Sequence, residues 1–330
     1  MNKFILLLIL SLVSCDDNDQ IIYRHFKSFV KKYDKKYSSM EEYLARFKVF
    51  RENYLTNLKN GQQKYDVGIT KFSDMTPDEF AKTFLNFKPN ANAFHNIEAV
   101  RLKQTNDLAP DAFDWRDKGV VTDVKNQSGC GSCWSFGTTG NLEGLYALKK
   151  GVIKTFSEQF LIDCDTQDNG CEGGYMINAF DWIKENGGFM SEEDYPFTGQ
   201  KGTCKQDPSK FVDMKVVGYV KLGFPLGNLL FPCDENEMKE FLYQTGPLAV
   251  AINAAPLQYY TGGIIDDDNC SNADINHAVT LVGYGTDSKD YWIVKNSWGK
   301  NWGENGYFRI ARGKATCGIN YYVISATVEF

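Results

Sequence analysis

The first patterned stretch of the chain runs from about residue 20 to residue 60. Ile21, Ile22, Phe26, Phe29 and Val30 recur at short helical intervals, and so do Tyr43, Leu44, Phe47, Phe50, Tyr54 and Leu58. Such spacing places one apolar stripe along a helix. Neither Gly nor Pro interrupts the run before Gly61, so the pattern predicts two amphipathic helices joined around Tyr33–Ser39. Val67 to Phe72 reads as a short strand. Thr76-Pro77-Asp78-Glu79 then opens another helix, with a capping Thr, a Pro at the first helical position and a Glu three residues after the cap. From Lys88 to Leu108 the periodicity disappears and Asn is frequent, as in an extended linker.

Beyond the linker the periodicity returns. Residues 132–150 predict a helix closed by Gly151, with Trp134, Phe136, Leu142, Leu145 and Leu148 on its buried face. Residues 157–163 and 176–186 predict two more, the second ended by Gly187-Gly188. From Val216 onward the pattern is that of strands: Leu248–Asn253, Ala278–Gly283, Tyr291–Lys295, Tyr307–Ala311 and Tyr322–Val328. A helical half followed by a strand-rich half is an α+β arrangement, and a cleft between two such halves is a natural ligand site.

Candidate chemistry falls on both halves. After its first hundred or so residues the chain has a single histidine, His277. Gln127 precedes Cys133 by six residues, and Asn296-Ser297-Trp298-Gly299 lies near the far end. A thiol is a strong nucleophile at neutral or acidic pH only when its thiolate is stabilised, by an imidazolium or a helix N-terminus. Cys133 falls in the first turn of a predicted helix, where unpaired N–H groups favour negative charge. Asn296 can orient the imidazole of His277, and Trp298 can shield that contact from water. Gln127 can donate to a developing oxyanion. Taken singly, Cys133 reads as a structural cysteine and His277 as a core histidine. Together, in the order Gln, Cys, His, Asn, they point to acyl transfer, and first to peptide hydrolysis.

Composition adds bounds. With 330 residues and 43% apolar content the chain can bury one or two cores. Met1-Asn2-Lys3 followed by Phe4 to Val13 predicts a secretory signal over residues 1–15, with lipid attachment at Cys15 as the alternative. Nine cysteines in a secreted chain imply disulfides; with Cys15 and Cys133 set aside an odd number remains, so one stays unpaired. Cys130 and Cys133 have ligand spacing, but no second Cys pair or His pair answers them, so neither a metal nor another cofactor is expected. Residues 16–108 carry 16 Lys and Arg against 13 Asp and Glu, whereas residues 109–330 carry 19 against 29. The acidic second part argues against nucleic acid and anionic membranes as partners, and the basic first part is suited to lie on it.

Asp114-Trp115-Arg116, the run from Gln127 to Trp134, Cys171-Glu172-Gly173-Gly174, Asn276-His277-Ala278-Val279, Gly283-Tyr284-Gly285 and Asn296-Ser297-Trp298-Gly299 occur in that order. On these motifs the chain resembles the papain (cathepsin-type) family of cysteine protease zymogens, with features closer to cathepsin F-like members than to cathepsin L. The resemblance implies a two-domain α+β fold: a helical left domain and a β-barrel-like right domain, with the cleft between them. It divides the chain into an inhibitory propeptide at 16–108 and a peptidase domain at 109–330. Glu42, Arg46, Phe50 and Asn53 follow the propeptide helix signature, with Asn57 and Gly61 departing from it, and Gly68, Thr70, Phe72 and Asp74 follow a second one.

Carried over residue by residue, the resemblance implies nucleophile Cys133, acid/base His277, orienting Asn296 and oxyanion donor Gln127. It implies disulfides Cys130–Cys171, Cys164–Cys204 and Cys270–Cys317. Gly174 would offer substrate a backbone edge, Trp302 would form part of the leaving-group side, and Gly173 and Trp298 would also belong to the substrate-binding surface. Tyr175, Met176, Ala251, Ile275, Ala278 and Tyr322 would wall the main specificity pocket. None is acidic, so Leu, Val or Ile is expected two residues before the scissile bond, with Phe limited by Tyr322. Lacking a His-containing occluding loop, the enzyme would be an endopeptidase. Its implied partners are protein or peptide substrates, its own propeptide as intramolecular inhibitor, and cystatin-type inhibitors. A monomer in the secretory pathway, lysosome or extracellular space is expected. The readings set against this are a silent binding homologue, a secreted inhibitor acting through residues 16–108, and peptide ligation.

Three features depart from the pattern. Ser128-Gly129 follows Gln127 where a Gly then a small residue is usual. Leu222 to Cys233 is longer and more apolar than expected, and reads as a surface loop or a self-association site carrying the odd cysteine. Asn126-Gln127-Ser128 and Asn269-Cys270-Ser271 are glycosylation sequons, the first expected to be unused because a glycan there would obstruct the cleft.

Overall fold

The computed structural model describes residues 17–59, 65–89, 108–226 and 229–330. The expected signal and nearly all of the expected linker lie outside the described residues. Helices α1 (Asp17–Lys32) and α2 (Met40–Lys59) form the predicted pair. They cross with Ile22, Phe26, Phe29, Phe47 and Phe50 buried between them. Ile21, placed on the apolar stripe by spacing, is exposed instead. The strand expected over Val67–Phe72 shrinks to β1 (Asp66–Val67), because residues 68–73 turn back beneath α2. That turn is fixed from above: Asn53 Nδ2 donates to the carbonyls of Ser73 (2.9 Å) and Met75 (2.8 Å), and Lys35 and Tyr37 bind the Asp74 carboxylate. Helix α3 (Pro77–Phe84) starts in the capping box that the sequence predicts, and Arg46 holds its Glu79 at 2.8 Å.

The remaining chain folds around one helix-on-sheet seam. After the short strand β2 (Phe113–Asp114) come α4 (Cys133–Lys150), α5 (Glu158–Cys164) and α6 (Met176–Asn186). Strand β3 (Lys215–Leu222) leads into the hairpin β4 (Phe224–Leu226) and β5 (Leu229–Phe231), then α7 (Glu235–Thr245). Then follow β6 (Leu248–Ile252), β7 (Tyr260–Gly262), β8 (Ile264–Ile265), β9 (His277–Thr286), β10 (Asp290–Lys295), β11 (Tyr307–Ala311) and β12 (Tyr322–Glu329). Helix α7 has no counterpart among the predicted elements, although Asp234 caps it and Gly246-Pro247 stops it.

The main sheet has the order β3-β12-β6-β9-β10-β11-β8, with β2 added on β9. Its ends do not pair, so the second half is an open sheet and not a closed barrel. The two-residue β8 offers no ladder on which β3 could close. Alternation along β6 sorts the core: Leu248, Val250 and Ile252 face one cluster, Ala249 and Ala251 the other. The alanine face receives α4. A Cβ on Gly140 would stand 2.2 Å from Thr280 Oγ1, so only glycine lets the helix lie this close to β9. Among the described residues no helix is long and apolar enough to cross a membrane.

Residues 17–89 dock on this body through β1 pairing with β7 and through Thr70 Oγ1, which donates to the Gln258 carbonyl at 2.6 Å. Disulfides join Cys130 to Cys171, Cys164 to Cys204 and Cys270 to Cys317. Cys133 and Cys233 are free and buried. The apolar 222–233 segment is thus a hairpin whose closing cysteine turns inward. Cys233 Sγ lies 3.4 Å from the Asn320 carbonyl, and Asn320 Nδ2 donates back to the Cys233 carbonyl at 2.8 Å. A thiol held this way is not presented to another molecule, which removes the covalent form of self-association. Non-reducing electrophoresis of the full chain should therefore show monomer, with Cys233 alkylated only after denaturation.

Candidate active site

The two halves meet where the N-terminus of α4 faces the start of β9. Cys133 is the first residue of α4, and Ser132 before it makes no side-chain cap, so the N–H groups of the first turn stay directed at the thiol region. The Cys130–Cys171 bridge ties the loop preceding Cys133 to the Gly173-Gly174 edge. His277 opens β9, and the backbone N–H of its neighbour Ala278 reaches the Cys133 sulfur.

Asn296 follows β10. Its Oδ1 accepts from the Ser297 N–H at 2.8 Å and lies 2.9 Å from His277 Nε2. An amide oxygen can only accept, so Nε2 carries the hydrogen and Nδ1 is the free basic nitrogen. Trp298 lies over this contact, its ring 4.7 Å from the imidazole. Gln127 Oε1 accepts from Ser297 Oγ (2.7 Å) and Trp298 Nε1 (3.1 Å). Its Nε2 is left to donate, to the Cys130 carbonyl at 2.9 Å and to the Phe84 carbonyl at 3.4 Å. One short segment, 296–298, thus orients both the imidazole and the amide. Sequence reasoning assigned no role to Ser297, and it is the hydroxyl that aims Gln127.

The cleft is filled by the chain itself. Residues 84–88 run through it, with Phe87 lying parallel to Gly174. Gly174 N–H donates to the Asn86 carbonyl (3.2 Å), Lys88 N–H to the Gly174 carbonyl (2.9 Å), and Phe87 N–H to the Asn276 carbonyl (2.9 Å). The Phe87 ring packs edge-on against Tyr175 (5.5 Å) and Tyr322 (5.0 Å). Met176, Ala251 and Ala278 belong to the same buried cluster as Phe87, with Ile275 packed on it, and Tyr175 and Tyr322 touch the Phe87 ring directly. On the other side Phe72, Phe80 and Phe84 pack edge-on against Trp298 at 5.1, 5.3 and 6.3 Å, and Trp302 backs Trp298 at 4.8 Å. The motifs singled out from the sequence stop short of 84–88. The run Phe84-Leu85-Asn86-Phe87-Lys88 just ahead of the linker was its only signal.

This cover dries the site. Burial pushes the Cys133 thiol up to about 11, although N–H groups of Ala278, Asn86 and Trp134 oppose the shift. Burial also pushes His277 down to about 4, opposed by the Asn296 contact and by the Phe84 carbonyl, which faces the ring without completing a hydrogen bond. The covered pair is therefore neutral thiol and neutral imidazole. The ion pair that the sequence suggests needs solvent or substrate polarity that the aromatic cover excludes. The backbone presented to the sulfur is the Asn86 N–H, a donor and not a carbonyl carbon, so the enclosed segment offers no electrophile. Asn126, the first sequon residue, is occupied by Lys71 Nζ at 3.2 Å. Among the described residues no group of His, Cys, Asp and Glu is arranged to hold a metal ion.

Comparison with known proteins agrees with this geometry. Residues 109–327 match the papain family of cysteine proteases, and residues 26–80 match the cathepsin propeptide inhibitor domain. Cysteine proteinase 15A of Pisum sativum is 42% identical over 318 residues, covering 91% of this chain and 85% of its own. Cathepsin F of Mus musculus is 42% identical over 312 residues, covering 92% of this chain and 64% of its own. Among solved structures, a digestive procathepsin L of Tenebrio molitor larval midgut superposes with a TM-score of 0.80 at 36% identity, covering 93% of this chain and 99% of that one. A recombinant stem bromelain precursor superposes with a TM-score of 0.80 at 35% identity, covering 94% and 99%. The chain belongs to the papain family of cysteine proteases and is built as a zymogen with a cathepsin-type inhibitory prosegment.

Proposed function

We propose that Cys133 is the nucleophile of a cysteine endopeptidase, with His277 as its acid/base, Asn296 as orienting amide and Gln127 as oxyanion donor. The observation that carries this is the filled cleft: the Phe84 carbonyl sits against Gln127 Nε2 and faces the His277 ring, where an oxyanion would form. The thiolate attacks the substrate carbonyl, His277 passes its proton to the leaving amine, and water later releases the acyl group from sulfur. The segment 84–88 crosses in the direction unsuited to attack, and residues 16–108 are the inhibitory part released on maturation. Cystatin-type proteins, which enter such clefts, are proposed as inhibitors in trans. The enzyme is proposed to act as a monomer on a secretory route, in an acidic compartment or outside the cell.

After acid activation an epoxide that traps active-site thiols should give one stoichiometric adduct, at Cys133. Cys133→Ala should lose hydrolysis, and Gln127→Ala should lower kcat by about a hundredfold to a thousandfold. An adduct at another residue overturns the assignment. For the pocket, Phe87 argues for a wider preference than Leu, Val or Ile. A peptide library should favour these residues and Phe two positions before the cleaved bond, and a preference for Arg there would refute the pocket.

Acid release has a defined sign. Against an ordinary imidazole at about 6.5, burial holds His277 down at about 4 in the closed form, so between these limits a solvated ring takes up a proton that the covered one does not. Stability of the closed form is complete above the upper limit and declines as pH falls through that window. Glu79, held below the usual carboxylate range by Arg46, adds loss at still lower pH. In the full chain bearing Cys133→Ala, hydrogen-exchange protection of residues 72–88 should fall steadily between about pH 6.5 and about pH 4. Flat protection across that range would contradict the linkage.

A further inference from the structure

Behind the Gly173-Gly174 edge lie two buried carboxylates that the reaction outlined above does not use. Asp168 is 6% exposed and Asp165 2%. Asp168 Oδ1 accepts from the Tyr175 N–H at 2.9 Å and from Asn178 Nδ2 at 3.0 Å. Asp165 Oδ1 accepts from the N–H groups of Gln167 (2.7 Å) and Asp168 (3.3 Å). The second oxygen of each is buried, and no N–H or O–H donor among the described residues reaches it. These two carboxyl groups are in side-chain contact with one another. Facing carboxylate oxygens without donors repel each other unless a proton lies between them.

We propose that Asp168 and Asp165 share one proton, and that Asp168 in this protonated pair is the positioning residue for the substrate-binding edge. The geometry of the peptide bond between Gly174 and Tyr175 gives the reason. Its N–H and C=O point in opposite directions because the unit is planar and trans. Asp168 pulls the Tyr175 N–H inward, and the Gly174 C=O is thereby turned outward, to the place where it now accepts the Lys88 N–H. Asp168 also fills the space behind Gly174: a Cβ there would stand 2.7 Å from its Cγ and 2.7 Å from the Trp134 ring. Loss of the shared proton leaves two buried charges in contact, and Asp168 then has to move away from the edge it holds.

The charged surroundings are few. Asp165 comes from the same loop as Asp168, and Lys201 faces Asp165 from the 198–204 loop; α6 contributes the neutral Asn178 and α4 the Trp134 ring. Burial first, and then the charge of Asp165, raises Asp168 to about 8. The edge is therefore intact across acid and neutral pH and loosens on the alkaline side. This inference rests on the reading that Gly174 binds substrate; the proton itself does not.

Two measurements separate the claims. Infrared difference spectra of the full chain bearing Cys133→Ala, taken between about pH 6 and about pH 9, should show a protonated carboxylic acid band lost near the upper end. That band should be absent in Asp168→Asn and should titrate at lower pH in Asp165→Asn, and its absence from the parent overturns the shared proton. In the acid-activated enzyme KM for a peptide should rise about tenfold over the same range, while Asp168→Asn, whose amide mimics the protonated acid, should hold KM within about twofold. Asp168→Ala should raise KM at every pH. An alkaline rise in KM that Asp168→Asn does not abolish overturns the positioning role even if the infrared band is found. Failure of the epoxide to label Cys133 would instead count against the active-site assignment alone.

Discussion

Everything at the active site depends on how closely α4 approaches β9. The helix carries Cys133 at its first position and the strand carries His277 at its own, so their juxtaposition is decided by the packing of two long elements and not by a local turn. Glycines on the helix and alanines on the sheet remove the side-chain bulk that usually keeps a helix about 10 Å from a sheet. A single methyl at Gly140 would strike Thr280, and the resulting shift would be felt at both Cys133 and His277. Close packing transmits such a displacement along a rigid helix with little relaxation. The disulfide from Cys130 to Cys171 then fixes the Gly173-Gly174 edge to the same frame.

The prosegment uses this frame rather than merely covering it. Phe87 enters the pocket walled by Tyr175 and Tyr322, and Phe72, Phe80 and Phe84 pack on Trp298, the ring that shields the imidazole. Each aromatic pair adds about 0.5–1.5 kcal/mol beyond its buried area, so the cover is firm while the enzyme's groups stay in place. Desolvation by that cover also separates the pKa values of Cys133 and His277 in the direction that keeps both neutral. Inhibition and the proposed acid sensitivity thus share one dry interface. The network around Asn53, Asp74 and Arg46 acts at a distance by holding the turn from which Phe72 projects.

Much of this was legible along the chain because it is written in local rules. The two crossing helices, the capping box at Thr76, the helix closed by Gly151 and most strands follow from periodicity and termini. Helix α7 escaped because its apolar spacing, Met238, Phe241 and Leu242, spans little more than one turn within a polar run. The strand expected at Val67–Phe72 was cut short by hydrogen bonds from Asn53, a residue in another element. Ile21 has helical spacing, yet α1 is covered on one side only, and that side is chosen by α2. Spacing also could not tell an open sheet from a closed barrel, because closure depends on whether two distant strands meet.

By itself, then, the sequence determined which residues can do chemistry: one thiol at a helix start, one histidine, one amide beside a tryptophan and one glutamine ahead of the thiol. It determined the pairs of helices and strands that carry them, since these obey short-range periodicity. The tertiary structure alone decided that Phe84 to Lys88 fill the cleft, that Ser297 aims Gln127 and that Cys233 turns inward. It alone brought Asp165 and Asp168 together behind Gly174. Contacts of this kind join residues far apart in the chain or on loops without a repeating pattern. Their energies come from burial and excluded water, which exist only once the surfaces have closed.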